Sequence, residues 1–297
     1  MRRWVPTVIA TTMALAATPA AVASTGQAAS GPARTGQARA AASSTAAASS
    51  TGAASSTGAA SSTGAASSTG AVSSTGAVSS TGAVSSTGAG KVNCAKVKCI
   101  ALTFDDGPGR YTSTLLDLLR RHHTKVTFFL VGAQIGKYPS IVRRMAREGH
   151  EIGDHTYDHP HLTTLPDGDI RDELTRPRDA IKKLTGRAPD LMRPPYGDTD
   201  ERVGGIAAEL GMAQILWNGT SRDWELRDTA AITKKVLGLA KRDRVVLMHD
   251  VWPETVKAMP KILTSLEKKG YHVVPVTALL RGRSLAAGEV YPVGGWN

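Results

Sequence analysis

With 297 residues and a formal net charge of +11, the chain has room for one large domain or two small ones. Aromatic residues make up only 5% of it, and Lys and Arg form no long consecutive block, which excludes the interleaved basic and aromatic surface of a nucleic-acid binder. What remains is a basic chain whose excess charge favours anionic partners such as cell-wall polymers.

The first 23 residues read as a secretory signal peptide. Met1-Arg2-Arg3 is a short positive start, Trp4 to Ala17 is mostly apolar, and Ala21-Val22-Ala23 has the small-x-small pattern of a cleavage site. The apolar run is too short for a spanning helix, so no stable membrane span is expected, an uncleaved anchor being the alternative. No cysteine lies near the cleavage site to take a lipid. Residues 24–90 are almost wholly Ala, Ser, Thr and Gly, with Arg34 and Arg39 the only charges. A six-residue unit, Ser-Ser-Thr-Gly-Ala-Ala, recurs there with Thr at 45, 51, 57, 63, 69, 75, 81 and 87. Units this small have almost nothing to bury and are far shorter than a solenoid repeat, so a disordered low-complexity tether is expected. Its hydroxyls are open to glycosylation.

The folded part is expected at residues 91–297, with 32 basic and 25 acidic residues and a net charge of +7. The two cysteines, Cys94 and Cys99, flank the start of its first strand with four residues between them. In an exported chain a local disulfide is the favoured reading, and the alternative, a two-thiol metal site, finds no nearby residues to complete four ligands. Strand-like runs follow at Cys99–Phe104, Val126–Val131, Glu151–Gly153, Gln214–Trp217, Val245–Met248 and Tyr271–Val276, with a shorter extended piece near Asp190–Met192. Helical spacing lies between them, at Thr112–His122, Pro139–Glu148, Asp169–Thr185, Asp200–Leu210, Thr229–Lys241 and Trp252–Lys269. The alternation predicts an α/β fold with a parallel sheet, and six or seven units in about two hundred residues suit a distorted, incomplete β/α barrel.

Polar clusters fall at the ends of these strands. Thr103-Phe104-Asp105-Asp106-Gly107-Pro108 puts two adjacent carboxylates after an apolar run, where a Gly-Pro pair stops the strand. Like charges side by side call for a cation or an Arg nearby. After Glu151-Ile152-Gly153 come His155 and His159, four apart, so one helical turn would aim both imidazoles at a common point. His161 is close by but stands outside this ligand set, and His122 and His123 fall at a helix end, where capping is their expected role. In Arg193-Pro194-Pro195-Tyr196-Gly197 the two prolines stiffen a loop and lack N–H groups, Arg193 suits a bidentate clamp on a carboxylate, and Tyr196 offers the first backbone N–H. Asp223 and Trp224 follow a further strand, and a Trp face suits a sugar. Leu247-Met248-His249 places a His at a strand exit, where an acid or base belongs.

These five segments, in this order, resemble the carbohydrate esterase family 4 polysaccharide deacetylases, also called the NodB homology domain, over about Cys99 to Tyr291. The resemblance implies Asp105 as general base, and Asp106, His155 and His159 as ligands of one divalent metal ion, zinc in most members, with cobalt an alternative. It further implies that Arg193 orients Asp105 and that the Tyr196 N–H completes an oxyanion hole. His249 becomes the general acid, tuned by Asp223, while Leu247 lines an acetyl pocket and Trp224 walls the groove. Thr220 departs from the pattern, standing where the family usually has Asp. The fold it implies is a distorted barrel of about seven β/α units.

The expected function is therefore a secreted, metal-dependent deacetylase, extracellular or wall-associated and monomeric, acting on N-acetylglucosamine units of peptidoglycan or chitin-type polymers. An O-deacetylase on acetylated xylan is the alternative within the family, and an inactive glycan-binding module is the alternative outside enzymes.

Overall fold

The computed structural model describes residues 92–293; the expected signal peptide (1–23) and tether (24–90) lie outside the described residues. Strands and helices alternate from the start. β1 (Lys98–Gly107) leads through α1 (Thr112–Arg121) to β2 (Thr127–Leu130), and α2 (Gly132–Ile135) and α3 (Pro139–Arg147) precede β3 (Glu151–Asp154). Next come α4 (Asp167–Thr185), β4 (Leu191–Met192), α5 (Glu201–Glu209) and β5 (Ala213–Ile215). The order continues with β6 (Gly219–Thr220), α6 (Asp223–Leu226), α7 (Thr229–Gly238), β7 (Arg244–His249) and α8 (Pro253–Lys268). β8 (Tyr271–Val273), α9 (Val276–Leu279) and β9 (Val290–Tyr291) complete it.

All the strand pairings are parallel, in the order β6-β7-β1-β2-β3-β4-β5-β9, with β8 paired to the first residues of β1. β6 and β9 are the two ends of that order, so the sheet curls without closing. The result is the incomplete α/β barrel that the strand and helix spacing predicts. No helix among the described residues is long and apolar enough to cross a membrane.

Alternation along β1 explains how the barrel positions its chemistry. Ile100, Leu102 and Phe104 pack outward into the layer shared with Leu115, Leu119, Met259 and Ile262 of the covering helices. Cys99 and Ala101 join the other, inner cluster with Phe129, Ile215 and Val245. Side chains on a strand repeat every second residue, so Thr103 and Asp105 share the inner face. On β7 the same parity carries Val245, Leu247 and His249 inward. Each outward Leu, Ile or Phe removed from water contributes about 1.5–3 kcal/mol, which holds the strands against their helices.

The helix signals act as their chemistry dictates. The Asp200 and Asp228 side chains accept N–H bonds from Val203 and Ala231 at the starts of α5 and α7. Gly186 takes the left-handed conformation (φ 82°) that ends α4. His122 is the C-cap residue of α1. The Cys94–Cys99 disulfide is formed, at the edge where β1 begins. Of the boundaries that differ from the sequence reading, two have a clear cause. β1 continues through both aspartates to Gly107, because Asp105 still pairs in register with His249. The run Tyr271–Val276 is not one strand: it stops at Val273, since Pro275 has no N–H for a ladder and instead begins α9. β6 and β9, two residues each, are too short to leave a periodic signal.

Candidate active site

The clusters read from sequence converge at the C-terminal ends of the strands. Parallel register places Asp105 on β1 directly beside His249 on β7, and Thr103 beside Leu247. From the opposite side, the Arg193 N–H donates to the Asp154 carbonyl and the His155 N–H to the Leu130 carbonyl, so the ends of β2, β3 and β4 align with the same rim.

Arg193 fills the barrel interior. It is fully buried, and its guanidinium stacks over Phe129, 4.2 Å from the ring centroid. One nitrogen, Nη1, donates both to Asp105 Oδ1 (2.8 Å) and to Thr103 Oγ1 (2.7 Å). Nε and Nη2 donate to the carbonyls of Ile215 (2.9 Å) and Leu216 (3.1 Å). The expected bidentate clamp is therefore not what forms: Arg193 gives Asp105 a single nitrogen, because the carbonyls of Ile215 and Leu216, at and just past the end of β5, claim the rest of the fork. Burial pushes the Asp105 carboxyl above its ordinary value, while the Arg193 charge pulls it back. Asp105 is thus a held but basic carboxylate, with Oδ2 3.8 Å from His155 Nε2.

Asp106, His155 and His159 form a cluster whose candidate ligand atoms all lie within 4.8 Å of one another. Asp106 Oδ1 is 3.6 Å from His155 Nε2 and 3.4 Å from His159 Nε2, and it is buried without a hydrogen-bond partner. A buried carboxylate oxygen lacking a donor and facing two imidazole nitrogens fits a divalent cation. The outer ring nitrogens are fixed as ligand histidines require: His155 Nδ1 lies 2.7 Å from the Arg193 carbonyl and His159 Nδ1 lies 3.2 Å from the Tyr196 hydroxyl. Burial pushes His155 down to about 3, so the ring stays neutral with Nε2 available. The segment that holds Asp105 thereby also orients both histidines.

Convergence of the two histidines does not come from a helical turn. Residues 155–161 form an irregular loop, with Thr156 (φ 63°) and His159 (φ 64°) both left-handed. Two such residues break any helix and swing the rings together, 4.8 Å between centroids. His161, outside the ligand set, stacks on the Tyr196 ring at 4.0 Å and reaches Asp198 Oδ2 through Nδ1 (3.1 Å). Tyr196 is itself left-handed (φ 61°), and its backbone N–H has no acceptor among the described residues.

On the other wall, Asp223 is fully buried and accepts four bonds on its two oxygens: His249 Nδ1–H (2.7 Å), the His249 backbone N–H (2.8 Å), the Thr255 hydroxyl (2.7 Å) and the Trp224 backbone N–H (3.1 Å). Burial acts to raise Asp223, yet these donors outweigh it and hold the carboxyl below its ordinary value. Burial likewise opposes charge on His249, but the Asp223 hydrogen bond and charge prevail and hold it up at about 9. Trp224 stands half-exposed with its ring edge-on to His249, 5.3 Å between centroids. Leu247 is nearly buried on the inner face of β7. Thr220 sits on β6 opposite Leu247, and its hydroxyl accepts the Arg222 N–H (3.3 Å). Asp223 thus supplies the carboxylate at His249 Nδ1, while Asp106 Oδ2 lies 3.9 Å from its Nε2.

Two supporting residues carry no separate signal in the sequence. Thr103 is legible only as part of an apolar strand, and Thr255 only as a residue in the first turn of α8. Asp250, next to His249, is buried against Gly107 and accepts a hydrogen bond from Thr112, whose own hydroxyl accepts the Gly109 N–H (2.7 Å). A Cβ on Gly107 would lie 2.5 Å from Asp250 Oδ1. Gly107→Ala is therefore expected to destabilise the protein by about 1–3 kcal/mol, since the buried carboxylate has nowhere to withdraw. Urea unfolding measures it, and an unchanged midpoint would show that the turn yields freely.

A family model described as Polysaccharide deacetylase matches residues 92–215, ending ahead of Asp223 and His249. Over 195 residues the chain is 39% identical to the peptidoglycan-N-acetylglucosamine deacetylase PgdA of Listeria monocytogenes, a match covering 65% of this chain and 41% of that protein. The chain thus spans less than half the length of that relative. A peptidoglycan-N-acetylglucosamine deacetylase of Bacillus cereus is 37% identical over 190 residues, covering 62% of this chain and 89% of the relative. Among solved structures, one described as T48 deacetylase with substrate superposes with a TM-score of 0.65 at 38% identity, covering 67% of this chain and 99% of that one.

Proposed function

Because the chain belongs to the polysaccharide deacetylase family, carbohydrate esterase family 4, we propose that it is a secreted, metal-dependent hydrolase that removes N-acetyl groups from N-acetylglucosamine units of peptidoglycan or chitin-type polymers. The observation that carries this reading is the side-by-side register of Asp105 and His249 over the Asp106, His155 and His159 cluster. A base, an acid and a cation site within one rim are what amide hydrolysis requires. The disulfide supports export, where thiols are oxidised. Residues 1–23 are proposed as the signal peptide and 24–90 as a tether between the point of export and the catalytic domain.

Asp106, His155 and His159 would hold the cation, zinc by the nitrogen-rich donor set, or cobalt. When bound it supplies positive charge that acidifies water and polarises the acetyl carbonyl. Asp105, raised by burial and aimed by Arg193, takes the proton of the attacking water. The unpaired Tyr196 N–H donates to the oxygen on which negative charge develops. His249 enters protonated, held so by Asp223, and passes its Nε2 proton to the departing sugar nitrogen, because an amide does not expel a bare amine anion. Leu247 borders the acetyl methyl group, and Trp224 offers its face to a sugar ring.

The test is acetate release by the purified protein, after chelation and again with zinc or cobalt restored, on chitooligosaccharide, peptidoglycan and acetylated xylan in parallel. Loss on chelation, recovery with metal and preference for the amide polymers are expected. Release from xylan alone would turn the assignment to an O-deacetylase. No release from any polymer, with metal shown to be bound, would indicate a glycan-binding module.

A further inference from the structure

The loop that carries His155 and His159 has few contacts of its own to keep its shape. Two left-handed residues, one of them the β-branched Thr156, make it a costly conformation that its surroundings must enforce. Its backbone groups account for how they do so. The Thr156 N–H donates to Asp154 Oδ1 (2.8 Å), and the His159 N–H to Thr156 Oγ1 (3.0 Å). The carbonyls of Thr156 and Tyr157 accept from the Gly132 and Ala133 N–H groups at the start of α2 (2.9 and 3.0 Å). Between the two histidines, the Tyr157 and Asp158 N–H groups both donate to one atom, Oε2 of Glu173, at 2.9 Å each.

Glu173 lies on α4, beyond the loop, and belongs to none of the chemical clusters read from the sequence. One turn further along α4, the Arg176 guanidinium lies over the Tyr157 ring, 3.2 Å from its centroid. The ring is also packed tightly against Gly132, where a Cβ would lie 2.5 Å from Tyr157 Cδ2. Helix α4 thus grips the loop at its midpoint through a charge-assisted pair of hydrogen bonds and a cation–π contact.

We propose that Glu173 is a positioning residue for the cation site: by gathering the Tyr157 and Asp158 N–H groups on one carboxylate oxygen, it sets the separation of His155 and His159. The inference rests on the metal-site reading of Asp106, His155 and His159. Removing the carboxylate frees two adjacent amides, and a loop with two left-handed residues then relaxes toward cheaper backbone, carrying one imidazole away from the other. The ligands themselves are untouched, so the effect falls on affinity for the cation.

The experiment uses the full chain, stripped of metal, and measures zinc affinity by competition with a chromophoric chelator for wild type, Glu173→Ala and Glu173→Gln. Amide hydrogen exchange is followed in the same samples without zinc. Glu173→Ala should bind zinc about 10-fold more weakly, and the amides of Tyr157 and Asp158 should exchange faster while those of β1 do not. Glu173→Gln keeps an acceptor oxygen and should recover most of the affinity. Unchanged zinc affinity in Glu173→Ala, or faster exchange spread over β1 as well, would overturn the proposal, the second by showing a general loss of stability. Wild type that binds no zinc would overturn it too. Wild type that binds zinc yet releases no acetate defeats the deacetylase reading and leaves this inference standing or falling on the affinities alone.

Discussion

Asp105→Asn should reduce acetate release by about 10³-fold or more, within the range that a general base contributes, while zinc binding stays near the wild-type value. The substitution is isosteric, and the amide oxygen still accepts from Arg193 Nη1, so the side chain keeps its place. What it loses is the ability to take a proton. Asp106, His155 and His159 keep their arrangement, and the affinity for the cation follows them. A cost in stability accompanies the change, because Arg193 is fully buried and Asp105 is its paired charge. Stranding one partner of such a pair costs about 3–5 kcal/mol. Activity per folded, metal-loaded molecule is therefore the quantity to compare, with the loaded fraction measured beside the rate. Near-normal turnover on that basis would remove Asp105 from the role of base.

The second large effect concerns pH. In the proposed mechanism His249 acts as an acid only while protonated, and Asp223 holds it at about 9, so the rate should fall as pH rises through that value. A bound cation opposes the lesser contributions of Asp106 and Asp105, which leaves the Asp223 hydrogen bond as the principal support of the charge. Asp223→Asn removes that support while burial continues to disfavour the imidazolium, so the alkaline limb should move to about 6.5 or below. The protonated fraction, and with it amide hydrolysis, should drop about 30-fold at pH 8 and more than about 100-fold at pH 9. Ester substrates should lose less, because an alkoxide leaves with less help from an acid. A pH–rate profile for the variant on both substrate types measures this directly. An alkaline limb that stays near 9 would mean that Asp223 shapes the wall of the site without tuning His249.

Single segments carried a good part of the site. Asp105, Asp106, Arg193, Tyr196, Asp223 and His249 each stand at a strand exit next to a turn or a proline, a place where polar residues after an apolar run have little packing role. Proximity in sequence also suggested that His155 and His159 meet, but the reason was misread, since four-residue spacing is a helix signal only when the backbone is helical. Here two left-handed residues bring the rings together, and positive φ at Thr156 is not something a threonine announces. The single-nitrogen contact from Arg193 to Asp105 was equally out of reach, because it depends on where the carbonyls of Ile215 and Leu216 fall after the chain has passed through α5 and β5.

The sequence by itself determined the alternation of strands and helices, the incomplete barrel and the chemical types gathered at its rim, because these follow from local periodicity and from residue types at strand ends. The tertiary structure alone decided their pairing. Parallel register set Asp105 beside His249, an arginine 88 residues downstream became the buried partner of Asp105, and a glutamate on α4 became the clasp of the histidine loop. Such partnerships join residues that are 15 to 144 positions apart, and no local pattern records them, since each depends on how strand twist, helix packing and buried hydrogen-bond demand are satisfied together.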